Sequence, residues 1–187
     1  MSEYPERIPP LAVKDFTPEQ AELVGDWTHL VFSRVIVRHP AAYRIFLPYI
    51  DKVIRGSNLP PRDREVIVLR LLGLCDEVYE LHHHEMIAKG ASMTEAEIAA
   101  AKAGEGAELS PFHLTLCRAA EELLRDTRIG DATWTALAER YDEGQLMEVV
   151  FLGGCYVTMA MLTKSFGIGL EKQDEDYENI TSLRKYT

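Results

Sequence analysis

The chain has 187 residues, 47% of them hydrophobic and 27% charged, which is enough for one well-buried core and short for two. Thirty acidic residues against 20 basic ones give a formal charge of -10, which argues against a nucleic-acid-binding face and leaves other partners open. Cys75, Cys117 and Cys155 stand about 40 residues apart, without the spacing of a redox dithiol, a zinc knuckle or a disulfide framework, and fit a reduced, cytoplasmic compartment.

The opening "MSEYPERIPP" is polar and proline-rich and lacks the apolar core of a signal peptide. In "TPEQ", Thr17 is placed to cap a helix, with Pro18 at its first position and Gln20 completing a capping box. Leu23, Trp27, Leu30, Val31 and Val35 then recur at helical spacing, and "RHP" ends that helix because the residue before Pro40 disfavours the helical region. "AAYRIFLPYIDKVIRG" reads as a second helix and "SNLPP" as a turn, after which "RDREVIVLRLLGLC" resumes helically. Ser92 or Thr94, Ser110 with Pro111, Asp131 and Asp142 mark further helix starts, and "GIGL" stops a last long helix near Phe166. The apolar run "VVFLGGCYVTMAML" is too short to cross a bilayer and reads as a buried helix. No segment alternates with period two between hairpin turns. The expectation is an all-α, single-domain bundle of about eight helices, with an N-terminal arm and the start of the first helix over 1–24, a helical domain over 25–171 and a tail over 172–187. "DREVIVLRLLGLC" and "LMEVVFLGGC" are similar enough to raise the question of internal duplication.

The chemistry concentrates in "CDEVYELHHHEMIAKG". On one helix Glu77, Glu80 and His84 fall within a sector of roughly 60°. Glu65, on the preceding helix, meets that face if the two helices pack antiparallel. A buried carboxylate–imidazole cluster places a proton donor beside a proton acceptor, as reactions through an enol or carbanion require. The commoner use of charges at this spacing is a solvated helix face. Three consecutive histidines point about 100° apart and cannot chelate one ion from one helix, which leaves Glu80 and His84, with Glu65, as the only metal set worth considering. Cys75 has no resolving partner three residues away, and an isolated helical cysteine is ordinarily a small core residue.

"LPPRDREVIVLRLLGLCDEVYELHHHEMIAKGASMTEAEIAA" resembles the core motif of the carboxymuconolactone decarboxylase and alkylhydroperoxidase-D superfamily. In that motif an Arg-Glu pair opens a helix, and a short acidic or cysteine motif and a histidine follow. Here Glu65 stands in the Arg-Glu pair, while Glu77, Glu80 and His84 hold the later places. The flanks "YRIFLPYIDKVIRGSNLPP" and "GQLMEVVFLGGCYVTMAMLTKSFGIGLE" resemble the usual lead-in and closing helix, so the likeness spans roughly 25–171.

The resemblance implies an alkylhydroperoxidase-D-like helical fold whose motif helix lines a pocket, in a trimer or hexamer that needs no metal or organic cofactor. It implies a lyase acting on a small carboxylated ring or lactone from aromatic-compound breakdown. His84 would be the acid–base group, Glu80 and Glu77 would orient it or relay protons, and Glu65 would brace it. Arg70 or Arg64 would pair with the substrate carboxylate and Tyr79 would line the pocket, while His82 and His83 would lie at the surface. Both cysteines of the peroxidase branch are absent, Leu81 replaces a common tryptophan, and Ser92 replaces a common glycine. Two alternatives stay open, an alkylhydroperoxidase-like antioxidant protein and a non-catalytic small-molecule-binding oligomer.

Overall fold

The computed structural model describes residues 4–171, so the tail expected over 172–187 lies outside the described residues. Within them the chain forms nine α-helices and no strand. They are α1 (Pro18–Val24), α2 (Val31–Ile36), α3 (Pro40–Ile54), α4 (Pro61–Leu74), α5 (Tyr79–Gly90), α6 (Glu95–Ala103), α7 (Pro111–Asp126), α8 (Asp131–Ala138) and α9 (Glu143–Phe166).

Local chemistry sets most boundaries. Thr17, Thr94 and Asp142 each close a full capping box, with Gln20, Glu97 and Gln145 respectively. Ser110 accepts from the His113 amide and Pro111 occupies the first turn of α7. The single helix expected from Thr17 to His39 is instead broken. Gly25 takes a positive φ of 50°, a 3₁₀ turn follows over Gly25–His29, and α2 starts anew at Val31. That break puts Trp27 and Leu30 beside the site described below rather than along a continuous helix face.

α4 is the axis of the fold and packs against α5, α6, α7 and α9. Val66, Ile67, Val68, Leu69, Leu71 and Leu72 are all fully buried, so the helix is apolar around nearly its whole circumference. Each such side chain contributes about 1.5–3 kcal/mol through burial. At its start, Asp63 accepts from the Tyr141 hydroxyl at 2.7 Å and pairs with His113 Nε2 at 3.1 Å, which ties α4 to α7 and to the α8–α9 corner.

α9 is longer than its apolar run suggested. Its 24 residues have the length and composition to cross a membrane, but half of its most apolar window is packed inside the protein. Its outer face leaves Met147, Phe151 and Met161 exposed. Of the two similar sequence runs, α4 carries Glu65 into the core, whereas Glu148 of α9 holds the turn after α3 by accepting from Ser57 Oγ, the Asn58 amide and Lys52 Nζ.

Gly104 ends α6 at φ 79°, and a Cβ there would lie 2.5 Å from Arg70 Nε, which donates to Glu121. Gly104→Ala is expected to destabilise the protein by roughly 1–3 kcal/mol, seen as a lower urea midpoint with an unchanged slope.

Candidate active site

α4 ends at Cys75, Asp76 takes a left-handed backbone (φ 47°), and the chain re-enters a helix at Tyr79. Glu77 therefore precedes α5 rather than riding on its face. Its carboxylate accepts from the backbone N–H groups of Tyr79 (3.0 Å), Glu80 (2.7 Å) and Leu81 (3.3 Å), satisfying the orphan donors of the first turn. The shared acid–base face expected of Glu77, Glu80 and His84 does not form, because residue 77 lies before the helix.

α4 and α5 do bring Glu65 to His84. His84 Nδ1 lies 2.6 Å from Glu65 Oε2, and its Nε2 lies 2.7 Å from the hydroxyl of Tyr156 on α9. Arg64 Nε donates to the other oxygen of Glu65 at 2.9 Å. Burial pushes the Glu65 carboxyl up, but His84 and then Arg64 outweigh it, and the group ends below its usual range. An ionised Glu65 accepts the Nδ1 proton, so in the neutral ring Nε2 accepts from Tyr156. The Tyr156 phenol is held well above its ordinary value, chiefly by burial and then by Glu65. Both nitrogens of His84 are thus engaged inside the protein, in a relay of carboxylate, imidazole and phenol.

Beside this relay lies a cavity of about 70 Å³, several times the roughly 10–15 Å³ one water needs. Its walls are largely apolar, with Phe32, Ile36, Phe46, Ile50, Ile87 and Met159 among them. Trp27, Asp51 and Arg55 stand at its more exposed side, where Arg55 pairs with Asp51 and stacks on the Trp27 ring at 5.1 Å. Glu80, His83, His84 and Tyr79 form the polar floor.

The floor groups differ in what they have left to give. The Tyr79 hydroxyl donates to Glu171 Oε1 at 2.5 Å and accepts from the Phe32 amide at 3.2 Å. His83 Nδ1 sits 2.8 Å from the Tyr79 carbonyl, and its Nε2 makes a 3.2 Å ion-pair contact with Glu171 Oε2. Burial lowers the His83 pKa, but Glu171 and Glu80 reverse this and leave it raised. Glu171 itself, buried yet surrounded by His83, Tyr79 and the Val31 amide, falls to about 2. The Glu80 side chain has no hydrogen-bond partner among the described residues. Burial, opposed by His83 but aided by Glu77 and Glu171, lifts its carboxyl to about 8, so it keeps its proton at neutral pH.

Residues 40–122 match the model of the carboxymuconolactone decarboxylase family. That match spans 83 of the 187 residues and makes the chain similar to this family over that stretch. Its fold is similar to the crystal structure titled alkylhydroperoxidase AhpD core, an uncharacterized peroxidase-related protein from Ralstonia eutropha JMP134. The TM-score is 0.76, over 95% of this chain and 96% of that one, at 15% sequence identity. Among curated proteins, none matches the chain by sequence.

Of the positions that carry the superfamily motif, Glu65 and His84 meet in the core, Glu80 faces the cavity, and Glu77 caps a helix. Tyr79 is among the residues lining the cavity. The two arginines expected to bind a carboxylate are placed otherwise. Arg70 donates to Glu121 and to the Lys102 carbonyl, outside the cavity lining. Arg64 is buried against Glu65 and the Ile54 carbonyl, likewise outside the lining. His83, expected at the surface, is only 4% exposed and lines the cavity, whereas His82 is half-buried. Among the described residues, no group of three or more His, Cys, Asp or Glu side chains is arranged to hold a metal ion.

Sequence reasoning missed Tyr156 and Glu171. A phenol within an apolar run demands a buried partner, which is a readable signal for Tyr156. Glu171 follows the glycine stop of α9 and gave none.

The Glu80 shift carries a stability consequence with a definite sign. Unfolded, the residue loses its proton near 4.5; folded, near 8. Between these values the folded state binds the extra proton, so stability falls as pH rises through that window and levels off above it. Glu80→Gln removes this dependence, and its stability relative to the parent should be greater near pH 9 than near pH 5 by more than about 1 kcal/mol in urea titrations.

Proposed function

We propose that the protein is a cofactor-independent acid–base enzyme of the lyase type, with Glu80 as the group that exchanges a proton with the substrate. The observation carrying this reading is a buried carboxyl, raised to about 8, that lines an apolar cavity and has no hydrogen-bond partner among the described residues. Such a group is poised as a general acid at neutral pH.

For a decarboxylation on a small ring, the reaction balances with the residues at hand. The bond to the substrate carboxylate breaks, carbon dioxide leaves, and the electron pair stays on the ring carbon. The Glu80 proton goes to that carbon, water entering from the exposed side returns a proton to Glu80, and the hydroxide left behind combines with the released carbon dioxide as bicarbonate. Apolar walls favour the step because they solvate a departing neutral molecule better than a carboxylate. His83, held charged by Glu171, steadies the Glu80 carboxylate formed on proton transfer. The relay of Glu65, His84 and Tyr156 forms the rigid back of the floor.

Peroxidase chemistry through cysteine finds less support. It needs a thiolate with a resolving thiol. Burial is the first cause raising all three thiols, Cys117 and Cys155 to about 12, and the Cys75 thiol is also raised.

The test is turnover of a panel of small cyclic keto- and lactone-carboxylates in heavy water, read as carbon dioxide released and one solvent deuteron gained. Glu80→Gln should lose about 100-fold or more in kcat. The parent's kcat should fall as pH rises through about 8, where the acid form is lost. Full activity in the variant, or activity that instead follows a cysteine substitution, would overturn the reading.

A further inference from the structure

We propose that Glu171 is a positioning residue of the site, the counter-ion that fixes the ring and charge of His83 beside Glu80. This rests on the reading of Glu80 as the proton carrier and adds a residue from outside the motif that carries the superfamily resemblance.

Glu171 reaches the site from the segment after α9, some 90 residues beyond α5 in the chain. Its side chain is 3% exposed. Oε1 accepts from the Val31 amide at 2.9 Å, at the start of α2, and from the Tyr79 hydroxyl at 2.5 Å. Oε2 lies 3.2 Å from His83 Nε2. One carboxylate thus joins the front wall of the cavity, the first turn of α5 and the imidazole on its floor.

The other side of the His83 ring is fixed as well, since Nδ1 meets the Tyr79 carbonyl at 2.8 Å. A carbonyl can only accept, so Nδ1 carries a hydrogen. Nε2 then either accepts or, when protonated, faces Glu171 Oε2 at 3.2 Å. The 3.2 Å contact falls outside hydrogen-bond geometry, but an ionised Glu171 beside an unprotonated Nε2 would set two acceptors against each other in a buried place, which favours the imidazolium.

Among the described residues, the titratable groups around the ring are Tyr79, Glu80 and His82 of α5 and Glu171 of the closing segment. Across the cavity, α2 presents Phe32 and Ser33, α3 presents Tyr43 with Asp51 and Arg55 further out, and α9 presents Met159. Glu80 keeps its proton at neutral pH, so among the described residues closest to His83 Glu171 is the standing negative charge. The charge on His83 favours the carboxylate that Glu80 becomes when it gives up its proton. Without Glu171, His83 would turn neutral and that help would vanish.

The test is the titration of His83 by NMR of the ¹⁵N-histidine-labelled full chain, assigned by comparison with His83→Gln. In the parent, His83 should titrate above the ordinary histidine value. In Glu171→Gln its midpoint should fall by at least about one unit, a tenfold change in proton affinity. In Tyr79→Phe, which removes one anchor of Glu171 but leaves the ion pair, it should stay near the parent value. A purely structural role for Glu171 would disturb both variants alike or leave His83 unmoved.

An unchanged His83 midpoint in Glu171→Gln, with helical circular dichroism retained, would overturn the proposal. Should that variant fail to fold, the parent alone decides, because a His83 midpoint at or below the ordinary value sinks the idea. This readout is independent of turnover, so failure of the Glu80 reading and failure of the Glu171 proposal are separable.

Discussion

The rest of the structure depends on a carboxylate buried in the middle of its most apolar helix. Glu65 has no exposure at all, and an isolated charge in that place would cost far more than any single packing contact contributes. It is tolerated because Arg64 and His84 each take one of its oxygens, and His84 in turn engages Tyr156. Satisfying this one charge therefore sets how α4, α5 and α9 meet. Removing any partner would strand a buried charge or a buried donor, so the motif is as much a packing constraint as a chemical one.

Glu77 and Glu80 show how placement separates two identical side chains three residues apart. Glu77 lies ahead of the helix, where three backbone N–H groups point at its oxygens. Glu80 lies within the first turn, past that cluster of donors, and faces the cavity. One carboxylate is thereby spent on the helix terminus, and the other is left buried, with its carboxyl raised to about 8. The separation needs no unusual residue, only the left-handed step at Asp76 that delays the helix until Tyr79.

The all-helical architecture was legible because its punctuation is local: Thr17, Thr94, Ser110 and Asp142 cap where their spacing says they should. The meeting of Glu65 with His84 was legible for a related reason, since antiparallel packing of adjacent helices brings the two into register. The break at Gly25 was hidden, because the apolar spacing from Leu23 to Val35 fits one helix as well as two short ones. The placement of Glu171 was hidden more deeply. Its partners Val31, Tyr79 and His83 are between 88 and 140 residues away, and no local pattern encodes such a contact. Arg64 and Arg70 misled for the same reason, since a charge on a helix does not say which tertiary acceptor will claim it.

The three histidines resolve by geometry. Successive helical residues turn by about 100°, so His82, His83 and His84 face three environments. His82 is half in solvent, His83 is on the floor of the cavity, and His84 is in the core with both nitrogens bound. A metal would need them to converge, and the helix forbids it. Proton chemistry needs the opposite arrangement, in which neighbouring imidazoles meet different partners. His83, beside Glu171, is set to be positive. His84 has Nδ1 against a Glu65 oxygen and Nε2 against the Tyr156 hydroxyl. The cavity can therefore offer a neutral acid, a fixed cation and a rigid relay within two turns of α5, an asymmetry that a solvated histidine face could not sustain.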